Sequence, residues 1–171
     1  MIKIYNEIIG TKILDFNNGN LLALLDGIII NPDNGKILAF WVKSLFIPGK
    51  NTIIMSNSIV KWSKNIYIKN PDDIFEAEDS VRLLEILNKK IFFISNIVKN
   101  EKLEYLGKIY DLDFDSEKLY LRQIYLSKTF LFFKYSKRIF KYDKILKTSK
   151  DYILVKDDNF EKIENLNIEL A

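Results

Sequence analysis

The chain reads as one short pattern written twice. Ile59-Val-Lys-Trp-Ser-Lys-Asn-Ile-Tyr-Ile-Lys69 lies on Ile145-Leu-Lys-Thr-Ser-Lys-Asp-Tyr-Ile-Leu-Val-Lys156, at an offset of 86 through Ser63/Ser149, Lys64/Lys150 and Asn65/Asp151. Upstream, residues 23–31 lie on 107–115 at an offset of 84, and Lys36-Ile37-Leu38 on Lys118-Leu119-Tyr120 at 82. Further back, Thr11-Lys12-Ile13 lies on Lys89-Lys90-Ile91 at 78. The offset changes only in turns, as it does in a duplicated fold whose loops vary. Each half of this 171-residue chain is then a small domain with its own core.

The periodicity within each copy is that of strands. In the first, Ile13 to Phe16 meets the hairpin turn Asn17-Asn18-Gly19-Asn20. The apolar run Leu21 to Ile30 leads to a second turn, Asn31-Pro32-Asp33-Asn34-Gly35. Ile37 to Phe46 alternates, with Leu38, Phe40 and Val42 on one face and Ile37, Ala39 and Trp41 on the other; short strands follow near Ile53, Ile59 and Ile66 to Ile68. The second copy predicts strands at 91–94, 103–114, 119–126, 130–135 and 139–142, at Ile145 and at 152–155. Between the copies, Asn70-Pro71-Asp72-Asp73 carries a helix-start signature. Asp79-Ser80 opens a second helix with Val81, Leu84 and Leu87 at helical spacing, and the tail from Asp158 has Phe160, Ile163 and Leu166 at the spacing of a last helix.

The turn and strand Asn31-Pro32-Asp33-Asn34-Gly35-Lys36-Ile37-Leu38-Ala39-Phe40 resembles the signature of the PRC-barrel family, an Asp-Pro-x-x-Gly-Lys turn running into an apolar strand. Gly107-Lys108-Ile109-Tyr110-Asp111, then Asp115, resembles that family's Gly-Lys-Val-x-Asp…Asp strand. Thr11-Lys12-Ile13-Leu14-Asp15 with Asn17-Asn18-Gly19 fits its opening strand and hairpin. Ala23 and Gly27 stand where the family prefers Gly and Asp, and the second copy's central turn has no Pro or Gly and reads two residues shorter. The resemblance implies a mainly β fold: two tandem small β-barrels of PRC-barrel type, domain 1 over 1–76 and domain 2 over 77–171, with short junction and C-terminal helices. PRC-barrel domains occur in the H subunit of photosynthetic reaction centres and as the second domain of a ribosome maturation factor, and where understood they bind other proteins. Fold alone does not assign function.

Composition narrows the chemistry. The chain has no cysteine and no histidine, which removes disulfides, thiolate nucleophiles, the usual zinc sites and His-dependent triads. Phosphate loops, dinucleotide fingerprints and nucleophile elbows are missing from the sequence. The expectation is a protein that is not an enzyme and takes no cofactor. The first residues lack a signal-peptide pattern and no run approaches a membrane span, so a cytoplasmic location is expected. The net charge of +3 is unevenly spread: 157–171 carry five acids and one lysine, whereas 128–147 carry seven basic residues and one acid.

Candidate partner-binding residues follow from exposed aromatics and cations. Trp41 and Phe46 lie on or beyond the outer side of the first copy's central strand. Phe130, Phe132, Lys134, Lys137 and Arg138 fall in a segment that interleaves aromatics with cations. That pattern suits a protein partner or self-association; it also suits RNA, through stacking and phosphate contacts, as in a ribosome-associated maturation factor. Asp111, Asp113 and Asp115 alternate and could share a strand face toward a cation, but the spacing lacks the glycine and glutamate of a calcium loop, and no metal is expected.

Overall fold

The computed structural model describes residues 1–49, 51–130, 133–156 and 161–162, with the backbone alone given for 129–130, 133–136 and 161–162. The chain is mainly β. Its elements are β1 (Ile2–Ile4), α1 (Tyr5–Ile8), β2 (Lys12–Asp15), β3 (Leu21–Ile30), β4 (Ile37–Ser44), β5 (Thr52–Met55), β6 (Ile59–Trp62), β7 (Ile66–Ile68), β8 (Ile74–Glu76) and α2 (Val81–Leu87). There follow β9 (Ile97–Lys99), β10 (Tyr105–Asp115), β11 (Tyr120–Phe130), β12 (Phe133–Lys141), β13 (Ile145–Thr148), β14 (Ile153–Val155) and β15 (Glu161–Lys162). Two compact units result: Met1–Lys90 with Asp113–Leu121, and Ile91–Leu112 with Arg122–Ala171.

The duplication extends to every strand pairing of the repeat. The first sheet runs β6-β7-β2-β3-β4-β5-β8, the second β13-β14-β9-β10-β11-β12-β15, with β1 added to the end of β10. Each sheet curls into a half-barrel. The first ladder runs from β6 at one end to β8 at the other. Both copies contain one parallel pair in an otherwise antiparallel ladder: Ile13 lies against Ile66, and Val98 against Ile153. Both bulge at the same place, between Ile59 and Lys61 and between Ile145 and Lys147. The hairpin equivalence drawn from Ser63/Ser149 is therefore sound, with one inserted residue shifting the offset to 87 at Ile66/Ile153.

Register also corrects two sequence matches. The strand equivalent to β2 is β9, so Ile13 corresponds to Val98; the segment laid on it at offset 78 is not a strand. The predicted strand at 91–94 is absent because those residues form the loop before β9, where Ser95 donates its N–H to the Ile109 carbonyl as Gly10 does to Leu25. The central turn of the second copy has not shortened. Gly35 N–H bonds to Asn31 O and Leu119 N–H bonds to Asp115 O, both at 2.8 Å, and Gly35 and Leu119 share a left-handed backbone (φ 73° and 58°). Asp115 replaces the Asn31 cap by accepting the N–H groups of Glu117 and Lys118, which compensates for the missing Pro and Gly. Within the first unit these equivalent turns bond to each other reciprocally: Ile37 N–H to Leu119 O at 2.7 Å, and Leu121 N–H to Gly35 O at 2.9 Å.

Alternation then decides the cores. Ile13, Leu25, Phe40, Val42, Ile54, Ile66 and Ile68 are buried on the inner face of the first sheet. Val98, Ile109, Ile124, Leu126, Phe140, Ile153 and Val155 occupy the matching positions of the second and are equally buried. Each such side chain contributes about 1.5–3 kcal/mol relative to exposure. One cross-strand pair is exchanged: Phe40 faces Ile54 in the first sheet, and Ile124 faces Phe140 in the second. The larger side chain has moved from one strand to its partner while the pair keeps its volume.

The outer face of the first sheet is covered. In the first unit Ile29, Ala39 and Ile53 bury against Ala77 and Leu83, with Trp41, Phe75 and Leu87 packed around them. Helix α2 thus covers that face through Leu83 and Leu87; Val81, expected to face inward, is exposed. The signature at Asn70 makes a single 3-10 turn, with the Asn70 side chain accepting the Asp72 N–H, before β8 begins. Where a C-terminal helix was expected, Glu161 and Lys162 run as a strand beside Arg138 and Ile139; the rest of that segment lies outside the described residues.

Candidate functional site

The loop after β4 presents the most exposed apolar side chains near the predicted candidates. The Ser44 hydroxyl accepts the N–H groups of Phe46 (3.1 Å) and Ile47 (3.2 Å), which bends the chain out of the strand. Leu45 and Phe46 are left 55% and 67% exposed. Beside this loop an open pocket of about 690 Å³ is lined by Asp26, Trp41, Ile47, Pro48 and Thr52 among others. Lys43 and Asp26 pair at 2.6 Å on its rim, a surface ion pair of small energetic weight.

Trp41 and Phe46 are thus brought to one region, in different states. Phe46 is free of the core, whereas Trp41 is half-buried on the α2-covered face, with its edge reaching the pocket. Gly27 leaves room for the Trp41 ring, since a Cβ there would come within 3.1 Å of it. Trp62, expected in the core, stands edge-on to Phe40 at 5.3 Å and tilted to Phe114 at 5.9 Å.

The aromatic and basic segment falls in β11 and β12. Phe132 lies outside the described residues, and for Phe130 and Lys134 only the strand path is described. Lys137 is exposed and pairs in register with Ser127; Arg138 is half-buried opposite Leu126. These two neighbours point to opposite faces, so the cations do not form one stripe there. The aspartates also diverge. Asp115 caps its turn, Asp113 is buried opposite Ile4, and the Asp111 carboxylate accepts the Leu112 N–H. Among the described residues no three His, Cys, Asp or Glu side chains converge. The Asp115 carboxyl is held below its ordinary range, first by the Lys118 and Glu117 amides and then by the N-terminal ammonium.

A second opening lies in the second unit, partly along the Gly107–Asp111 strand, which the sequence marked for its fold alone. It has a volume of about 470 Å³ and is lined by Ile94, Ser95, Tyr105, Lys108, Ile109, Tyr110 and Ser127. Burial, and then the neighbouring Asp111 carboxylate, raises the Tyr110 phenol above its ordinary value, so it remains a hydrogen-bond donor at neutral pH. The Lys128 ammonium stands 5.8 Å from the centre of the Tyr105 ring.

Compared with protein-family models and with the sequences of curated proteins, the chain matches none. Among the described residues no helix is long and apolar enough to cross a membrane.

Proposed function

We propose that the protein is a non-enzymatic binding module made of two PRC-barrel-like repeats, and that it holds a protein partner through the loop after β4. The observation that carries this reading is the exposure of Leu45 and Phe46 beside an open pocket with Trp41 at its edge. A loop that spends two large apolar side chains on solvent gains from an apolar partner surface, and aromatics dominate such contacts. The PRC-barrel resemblance points the same way, because its understood members act by binding.

The test is a photo-crosslinking residue at position 46 in the full chain, expressed in its native cell, together with light scattering of the purified protein. A discrete crosslinked protein, lost in L45D/F46D, or a concentration-dependent dimer lost in that variant, supports the reading. A monomer at all concentrations with no crosslinked species overturns it. RNA retained on a filter with steep salt dependence, and weakened by K137A, would instead support an RNA-associated factor.

A further inference from the structure

The duplication continues into the tail of the chain. Asp157-Asp158-Asn159-Phe160-Glu161 repeats Asp72-Asp73-Ile74-Phe75-Glu76 at an offset of 85, with four of the five residues identical. Strand pairing agrees to within one residue: Glu161 lies opposite Ile139 as Phe75 lies opposite Ile53. β15 thus stands beside β12 as β8 stands beside β5. In the first unit the chain passes from β8 directly to Ala77 and α2, which cover the outer face of that sheet. At the offset of 85 the tail sets Leu166 against Val81 and Ile168 against Leu83, the buried centre of that cover.

The face that the tail would meet is the outer side of β11 and β12. Gln123, Tyr125 and Ser127 alternate on it, opposite Lys141, Ile139 and Lys137. The first-sheet counterparts of its centre are Ala39 and Trp41, opposite Met55 and Ile53, and all four belong to the cluster under α2 or pack against it. In the second sheet Tyr125 and Ile139 keep an apolar, half-buried centre, and the Gln123 side chain donates to the Tyr125 hydroxyl at 2.7 Å. Lys137 and Lys141 stand exposed on either side of Ile139. Among the described residues the second unit has no α-helix to lie on this face.

Face and cover have changed together between the repeats. The face has gained Lys141 where the first sheet has Met55. Residues 77–87 include Arg82, whereas 163–171 hold Glu164 and Glu169 and no base. An apolar centre flanked by two lysines is thus matched by a segment with Leu166 and Ile168 between two acids. Apolar contact supplies the hold, and the charges set the position and a dependence on salt.

We infer that the outer face of the second sheet, around Tyr125 and Ile139, is the docking site of the chain's own residues 163–171, in the place that α2 takes on the first sheet. Leu166 and Ile168 lie against Tyr125 and Ile139, and Glu164 and Glu169 pair with Lys137 and Lys141. So placed, the tail screens both lysines from anionic partners. The docking does not involve the loop after β4.

The chain has no cysteine, so a nitroxide on N167C is a single label. In the full 15N-labelled chain at low salt it should broaden the amides of Gln123, Tyr125, Ile139 and Lys141 more strongly than those of Ala39 and Ile53 under α2. K137E/K141E should remove most of that broadening, and E164K/E169K added to it should restore it, a rescue that mere damage to the sheet would not give. Raising salt from about 0.05 M to about 0.5 M shortens the screening length about threefold and should weaken the broadening in the parent chain. An equal mixture of nitroxide-bearing 14N chain and unlabelled 15N chain should show none. The inference is overturned if the face of β11 and β12 is not preferentially broadened, or if K137E/K141E leaves the broadening unchanged. It is also overturned if the mixture shows it at full strength, which would make the contact one between two copies.

Discussion

The exchanged pair of core residues offers a quantitative test of the repeat. Phe40 and Ile54 face each other across β4 and β5, both 0% exposed, and the second sheet holds the same pair reversed as Ile124 and Phe140. F40I alone removes buried volume at a cost of about 1–2 kcal/mol. It also loses the edge contact with Trp62 at 5.3 Å, worth about 0.5–1.5 kcal/mol. I54F alone overpacks the same layer at a cost of about 1–3 kcal/mol. Were the two independent, the double variant would lose roughly 3–6 kcal/mol. Because the reversed pair fills the equivalent space in the second sheet, F40I/I54F is expected to lose only about 1–2 kcal/mol, mostly the aromatic edge contact. The coupling between the sites is then about 2 kcal/mol or more. Urea unfolding followed by tryptophan fluorescence, which reads Trp62 beside the substituted pair, gives all four stabilities. Additive losses would refute the claim that the two layers are interchangeable.

Gly107 has φ 142°, and a Cβ there would lie 2.7 Å from the Ser127 carbonyl oxygen; G107A should cost about 2–4 kcal/mol, and a thermal melt unchanged from the parent would contradict this. Leu83 is 1% exposed at the centre of the cluster under α2, so L83A should lose about 2–5 kcal/mol in chemical denaturation, whereas V81A on the solvent side stays near neutral. The depressed pKa of Asp115 stabilises the fold above the ordinary value of 3.8, and that contribution disappears as pH falls through the lower folded value. A carbon-13 titration of its carboxyl should have a midpoint below 3.8; a midpoint at or above it would remove the role given to the Lys118 and Glu117 amides.

The strands of the first copy were legible because alternation and turn chemistry agree there: Leu21–Ile30 and Ile66–Ile68 have the bounds their apolar runs suggest. The second copy was harder. Its opening strand, Ile97–Lys99, is only three residues long, while the more apolar Ile91-Phe92-Phe93-Ile94 before it is loop. Leu119 hid the central turn, because a left-handed leucine is indistinguishable in sequence from a strand leucine. That slip also misplaced the repeats. The offset of 84 already set Leu24 against Lys108; the pairing of Gly10 with Ser95 and of Gly35 with Leu119 needed the backbone. Trp41 was recognised as an outer-face residue, but nothing local could show that Leu83 and Leu87 reach back to pack around it.

One sheet topology is built twice, and its most specific mark is the parallel pair in each copy. Long-range proton–proton contacts in a methyl- and amide-resolved NMR spectrum test it directly. They should place Ile13 beside Ile66 and Val98 beside Ile153, each in parallel register, with Ile59 facing Ile68 and Ile145 facing Val155. Contacts of Ile13 with Ile66 but none between Val98 and Ile153, or an antiparallel register in the second pair, would contradict a duplicated unit.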